Sequence, residues 1–326
     1  MKVSSLDLAR DREGLVQVLA HRPRWSYDAY ADLVAPQALR EFSLRRDLQL
    51  LGNGAGCAIA ARNGDTLCGL ASWCPLPWDS AQFGFPAGRL DLLVAPGGYT
   101  RAREVKRALL ESLFSSCRER GISHLTARVD AGDLSSIHAL ESAGCELIDG
   151  IQTFSLRLQN AGDRTTTDRL EVRMFREDDL PQVLAIARTS YVYDRFHADS
   201  ALSPEVADAA NEDWVRNSCA GTAADSVIVA CREAQVLSYV ICKIDRETGP
   251  ALGVSFGTIV LVATAREARG RGAARAATQG ALGWFRAEGV DVVEVGTQIR
   301  NISAGRLYET CGFRLVGVSL TFRRLL

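Results

Sequence analysis

Positions 168 residues apart in this 326-residue chain carry matching residues, and they do so without a gap. Gly121 answers to Gly289, Asp133 to Asn301, Leu140 to Tyr308, Glu141 to Glu309, Gly144 to Gly312 and Phe154 to Phe322. A chain that repeats its landmarks at one offset folds as copies of one unit, so a tandem duplication is the first expectation. The expected boundaries are a first domain over 1–160, a linker over 161–170 and a second domain over 171–326. The linker is read from the polar, Thr-rich stretch QNAGDRTTTDRL at 159–170.

The copies differ where chemistry would sit. In the second, an apolar run at Ile259–Ala263 reads as a buried strand. Arg269-Gly270-Arg271-Gly272-Ala273-Ala274 then opens an Ala-rich helix ending before Gly289. A glycine-rich strand-to-helix turn exposes a row of backbone N–H groups at the positive end of a helix dipole, which suits a pyrophosphate. A further strand at Asp291–Thr297 leads to a helix from Asn301 to before Gly312. Asn301 and Tyr308, seven residues apart, then lie two turns apart on one face. Opposite the glycine turn the first copy has Arg101-Ala102-Arg103-Glu104-Val105-Lys106, with both glycines gone, and opposite Tyr308 it has Leu140. The first copy is therefore expected to bind no phosphate at that place and to donate no proton.

Taken together, these residues resemble the Gcn5-related N-acetyltransferase superfamily. Arg269, Gly272 and Ala274 meet its (Gln/Arg)-x-x-Gly-x-(Gly/Ala) turn, and Asn301, Ala304, Tyr308, Gly312 and Phe313 meet its later signature. The resemblance implies an α/β fold of two tandem GNAT-like domains, each a mixed, mostly antiparallel twisted sheet flanked by helices. It also implies an N-acetyltransferase with acetyl-CoA as cosubstrate. Arg269, Gly270, Arg271, Gly272, Ala273, Ala274 and Asn301 would bind coenzyme A, Leu261, Val262 and Ala263 would pair with the pantetheine amides, and Tyr308 would protonate the leaving thiolate.

A narrower resemblance, to the dTDP-fucosamine acetyltransferase group, rests on Thr297-Gln298 through Tyr308, on YDRFHAD at 193–199 and on LPWDSAQFGF at 76–85. It implies a nucleotide-linked amino sugar as acceptor, with Tyr193, Arg195, His197 and Gln298 as candidate contacts. A base, if one is needed, comes from His197, Asp194 or Asp199. Arg195 would meet a diphosphate or a neighbouring Asp, and Trp78 and Phe83 would stack on substrate or pack in a core. Two other readings stay open. One is a tandem GNAT acting on another amine, such as a mycothiol-synthase-like aminosugar conjugate, an amino acid, a polyamine or an antibiotic. The other is a non-catalytic acetyl-CoA sensor.

Charge bounds the partners. The 38 Lys and Arg against 39 Asp and Glu give a net charge of −1, so no broad attraction to nucleic acid or anionic membrane is expected. No apolar run approaches a membrane span, and the charged start MKVSSLDLARDREG does not read as a signal peptide. Nine cysteines, none in a C-x-x-C pair, and four unclustered histidines predict reduced thiols, no metal site and a cytoplasmic protein. The expected partners are a small-molecule amine and, at most, a second copy in a homodimer.

Overall fold

The computed structural model describes residues 1–22, 27–52, 56–160 and 170–326, so nearly all of the expected linker, and Trp25, lie outside the described residues. Two compact units result, Met1–Gly150 with Val318–Leu326, and Ile151–Gly317.

The first unit holds strands β1 (Lys2–Ser5), β2 (Cys57–Asn63), β3 (Thr66–Pro75), β4 (Ala87–Val94) and β5 (His124–Asp130), and the start of β6 (Glu146–Arg157). Its helices are α1 (Arg12–Leu19), α2 (Pro36–Gly52), α3 (Pro77–Phe83), α4 (Tyr99–Glu119) and α5 (Leu134–Ser142). Strands β1 to β4 form an antiparallel meander, with Asn63-Gly64-Asp65 turning β2 into β3. β5 joins β4 in parallel, and residues 319–325 of the last strand pair antiparallel with β5.

The second unit repeats that plan. β7 (Glu171–Met174), β8 (Ser226–Arg232), β9 (Gln235–Asp245) and β10 (Phe256–Thr264) form the meander, and β11 (Val292–Gln298) joins β10 in parallel. Its sixth strand is residues 151–157 of β6, antiparallel to β11. The helices are α6 (Leu180–Ser190), α7 (Arg195–Ala198), α8 (Pro204–Cys219), α9 (Thr248–Leu252), α10 (Ala273–Ala287) and α11 (Ile302–Thr310), and β12 (Arg314–Leu325) follows. Ser203 caps α8, and Pro204 occupies its first turn. Each unit is the expected mixed, mostly antiparallel sheet flanked by helices.

The units are not the contiguous halves 1–160 and 171–326. Each takes its sixth strand from the other half: Phe322 is fully buried in the first unit's core, and Phe154 is buried with Leu156 and Leu158 in the second's. The two phenylalanines are partners in the 168-residue register. The duplication is intact, and its last strands are exchanged.

The lost phosphate turn of the first unit is a change of secondary structure as well as of residues. Subtracting 168 from Ala273, the first residue of α10, gives Val105, yet α4 already begins at Tyr99. Residues 101–106 are wound into the helix, and the would-be turn is gone. Lys106 is buried, and its ammonium donates to both Asp133 carboxylate oxygens at 3.0 Å and to the hydroxyls of Ser135 and Ser136 at 2.7 and 2.8 Å. Asp133 also caps α5 by accepting from the Ser136 N–H at 3.1 Å. Asp133→Ala is expected to lower stability by about 3–5 kcal/mol, because it strands a buried ammonium and removes a cap. Urea unfolding measures this, and a loss under about 1 kcal/mol would mean that Lys106 escapes to solvent.

Candidate active site

The second unit's site begins where two parallel strands part. β10 pairs with β11 from Phe256 to Ile259, against Val292 to Val295. At Val260 the β9 register slips by one residue, so that Ile259 faces Cys242 and Leu261 faces Ile241. Such a bulge bends its strand and raises its twist. Beyond it Leu261–Thr264 stay on β9, while Gly296–Gln298 stay on β6. Among the described residues no pairing joins β10 to β11 past Ile259. A wedge opens there, and Val260, Leu261 and Val262 are half-buried beside it. A strand edge left without a neighbour offers N–H and C=O groups to an extended ligand.

At the end of β10 a single 3-10 turn, Arg266–Ala268, leads to Gly270 and Gly272, at φ +72° and +82°. L-residues rarely adopt these angles. A Cβ at Gly270 would meet nothing within 4 Å, so the backbone angle, and not crowding, requires that glycine. The first helical bond of α10 runs from the Ala276 N–H to the Gly272 carbonyl, 2.9 Å. The amides of Ala273, Ala274 and Arg275 therefore have no partner within the helix, and the dipole of the 15-residue helix adds to their pull on an anion. α10 is seated closely: a Cβ at Gly280 would lie 2.2 Å from Val172 Cγ1. The side chains of Arg269 and Arg271 are exposed beside the turn.

On the other side of the wedge α11 is fixed to the end of β11. The Asn301 N–H donates to the Gln298 carbonyl at 2.9 Å, and the Asn301 side chain accepts from the Ala304 N–H at 3.2 Å and the Ser303 hydroxyl at 3.0 Å. Asn301 is thus a helix cap that sets where Tyr308 stands. Tyr308 is 4% exposed, with its ring between those of Phe154 and Phe313 at 5.8 and 5.9 Å. Phe154 faces Val295 of β11 across the ladder. Burial pushes the phenol well above its ordinary value near ten, with Cys311 adding a little, so Tyr308 holds its proton at neutral pH.

The segment after α6 is tied to the same place. The Ser190 hydroxyl donates to the Thr264 carbonyl at 3.3 Å, and the Tyr191 and Tyr239 hydroxyls are 2.8 Å apart. Tyr193 is 40% exposed. Asp194 accepts from the N–H groups of Phe196 and His197, starting α7. Both ring nitrogens of His197 are engaged, Nδ1 by Asp194 at 2.7 Å and Nε2 by Asp208 at 3.2 Å. The Arg195 guanidinium lies 4.3 Å from the ring centre of Phe196, and Asp199 is buried, accepting from the Ala201 N–H. In the first unit, Phe83 is buried against Phe85 and His124 and packs as core; Trp78 is half-buried on α3. Among the described residues no cluster of three or more His, Cys, Asp or Glu is placed to hold a metal, and no helix is long and apolar enough to cross a membrane.

The wedge, glycine turn and buried tyrosine define a class. Residues 183–313, which lie within the second unit, match the model of the Acetyltransferase (GNAT) family. Among named relatives, it is 24% identical to the dTDP-fucosamine acetyltransferase of Escherichia coli over 191 residues, 58% of this chain and 76% of that one. In fold it is similar to a GCN5-related N-acetyltransferase from Sphaerobacter thermophilus, with a TM-score of 0.63 at 14% identity over 99% of this chain and 95% of that one. A tandem GNAT protein from the clavulanic acid biosynthesis pathway superposes with a TM-score of 0.57 at 16% identity, over 99% and 98% of the two chains. Three residues of this neighbourhood escape the sequence reading, namely Phe154, Tyr191 and Tyr239. Phe154 is visible as a repeat landmark but not as a neighbour of Tyr308; the two tyrosines carry no local signal.

Proposed function

We propose that the second unit transfers the acetyl group of acetyl-CoA to the primary amine of a nucleotide-linked amino sugar. The observation that carries the transfer is a buried phenol on a helix capped at the end of β11, beside a strand edge that has lost its neighbour. The residues present fit acetyl-CoA: two glycines at positive φ, open space at Gly270 and unpartnered amides at the start of α10. Gly270, Gly272, Ala273 and Ala274 would hold the pyrophosphate, with Arg269 and Arg271 adding charge. Leu261, Val262 and Ala263 would hold the pantetheine amides. Bound acetyl-CoA supplies an activated thioester with a thiolate as leaving group. Tyr308 Oη holds the proton that such a sulfur needs, and its raised pKa keeps that proton in place across the assayable range.

The first unit, with its turn wound into α4 and Leu140 at the tyrosine's position, is proposed to bind no coenzyme A. The named relative supports the amino sugar, and Tyr193, Arg195 and Gln298 remain the proposed contacts. His197 is more simply a brace between Asp194 and Asp208. Acetyl-CoA and nucleotide sugars are both cytoplasmic, and the proposal places the chain there.

The test is an amine panel with acetyl-CoA, read by mass spectrometry because nine cysteines would confuse a thiol dye. The panel holds a dTDP-4-amino-4,6-dideoxyhexose, a cysteinyl-aminosugar-inositol, polyamines, amino acids and a lysine peptide. Selective acetylation of the nucleotide sugar is expected. Reaction of another amine alone would move the acceptor, and silence with acetyl-CoA bound would leave a sensor. On the accepted amine, Tyr308→Phe is expected to lower kcat on the order of 10²-fold with acetyl-CoA affinity nearly unchanged. Parent-like turnover would remove Tyr308 from its role.

A further inference from the structure

Tyr239 lies in the middle of β9 with no exposed surface, packed among Val183, Ile186, Ala187 and Ala263. A buried O–H with no acceptor costs about 1–3 kcal/mol, so its hydrogen must find an oxygen. The hydrogen-bonding partner that the described residues give it is the Tyr191 hydroxyl, at 2.8 Å. Tyr191 differs in one respect: as a residue it is half-buried, at the end of α6, where the chain leaves the core. If Tyr239 donates, the Tyr191 oxygen accepts, and the Tyr191 hydrogen has to point elsewhere. The reverse arrangement would leave the Tyr239 hydrogen sealed in the core.

The position of Tyr191 gives that free hydrogen a destination. The neighbouring Ser190 is bonded to the Thr264 carbonyl at the last residue of β10, and Tyr191 packs against the same buried cluster as the half-buried Val260 and Leu261 of the strand's parted section. It also opens the segment that leads to Tyr193 and Arg195. Burial pushes its phenol upward, and nearby Tyr308 and Asp194 act in the same direction, so Tyr191 stays protonated. A protonated phenol cannot serve as the amine's base; it can donate a hydrogen bond.

We propose that the Tyr191 hydroxyl is an acceptor-binding donor, aimed out of the core at a hydroxyl or ether oxygen of the amine substrate and locked in that orientation by Tyr239 behind it. The idea rests on the transferase reading above and deepens it. It selects acceptors that carry an oxygen near the amine, as sugars do, over bare alkylamines. A site built to donate to such an oxygen discriminates against an analogue that lacks it, because the donor is then left unpaired.

The experiment uses the full chain, acetyl-CoA and the dTDP-4-amino-4,6-dideoxyhexose, with Tyr191→Phe and Tyr239→Phe. For Tyr191→Phe, acceptor KM is expected to rise about tenfold, the loss of one hydrogen bond, with the acetyl-CoA Kd unchanged. For Tyr239→Phe, acceptor KM should rise by a smaller factor, since Tyr191 keeps its hydroxyl but loses its orientation. Thermal unfolding reads the bond direction without any substrate. Tyr191→Phe should lower Tm more than Tyr239→Phe, because only the first strands a buried donor. An unchanged acceptor KM in Tyr191→Phe overturns the proposal, and so does a larger Tm loss in Tyr239→Phe. Failure of the parent protein to acetylate any amine overturns the transferase reading itself, and this proposal with it.

Discussion

A chain that begins at Leu170 and runs to the C-terminus is expected to give no cooperative unfolding transition and no acetyl-CoA binding, although it contains the glycine turn, Asn301 and Tyr308. The reason lies in the exchanged strand. Residues 151–157 complete the second unit's sheet against β11, and Phe154, Leu156 and Leu158 are each at most 8% exposed in its core. Deleting three large buried side chains removes roughly 5–9 kcal/mol of burial, against about 5–15 kcal/mol of total stability for a domain. It also bares the β11 edge and leaves Tyr308 without its Phe154 neighbour. Circular dichroism on heating, together with an acetyl-CoA titration, measures the outcome. A truncated chain that melts cooperatively and binds acetyl-CoA would show the second half to be self-sufficient.

The duplication, the glycine turn and the tyrosine helix are legible in the sequence because each is local. A turn needs its glycines within three residues, and a helix face repeats within seven. The exchange is not legible, for a physical reason. Phe154 and Phe322 stand at equivalent positions of equivalent strands, so the landmark that marks the repeat does not say which sheet each strand completes. Side-chain pattern sets which face is buried, not which copy supplies the strand. The first unit's missing turn is half legible. The absent glycines can be read, but the continuous winding of α4 through residues 101–106 follows from replacing turn residues with helix formers such as Arg, Ala and Lys.

The loop after α6 shows the opposite limit. Asp194, His197 and Asp208 look like unconnected polar residues, and only folding brings the two carboxylates onto opposite nitrogens of one ring. Arg195 can be read as a phosphate ligand or an ion-pair partner; the structure adds that its guanidinium lies over the Phe196 ring. Tyr191 and Tyr239, 48 residues apart, meet because α6 packs on β9. Contacts of that kind come from tertiary packing and leave no spacing to read.

Gly272→Glu should weaken acetyl-CoA binding on the order of 10³-fold, about 4 kcal/mol, with the fold retained. Two effects add. A side chain at φ +82° is strained by about 1–3 kcal/mol in the cradle conformation. The carboxylate also faces the place where a pyrophosphate would accept from the unpartnered amides of Ala273 and Ala274, and hydrogen bonds to charged groups of that kind contribute about 1.5–3 kcal/mol each. Gly272→Ala separates the two, since it brings the strain without the charge, and its loss should be nearer tenfold. The equivalent change in the first unit, Glu104→Gln, alters a charge on an exposed helical face and should leave acetyl-CoA affinity as it was. Calorimetric titration of the three variants reads the series directly. Equal affinity in Gly272→Glu and the parent would place the phosphate cradle elsewhere. A response to Glu104→Gln as large as that to Gly272→Glu would mean that the first unit still takes part in holding the cosubstrate.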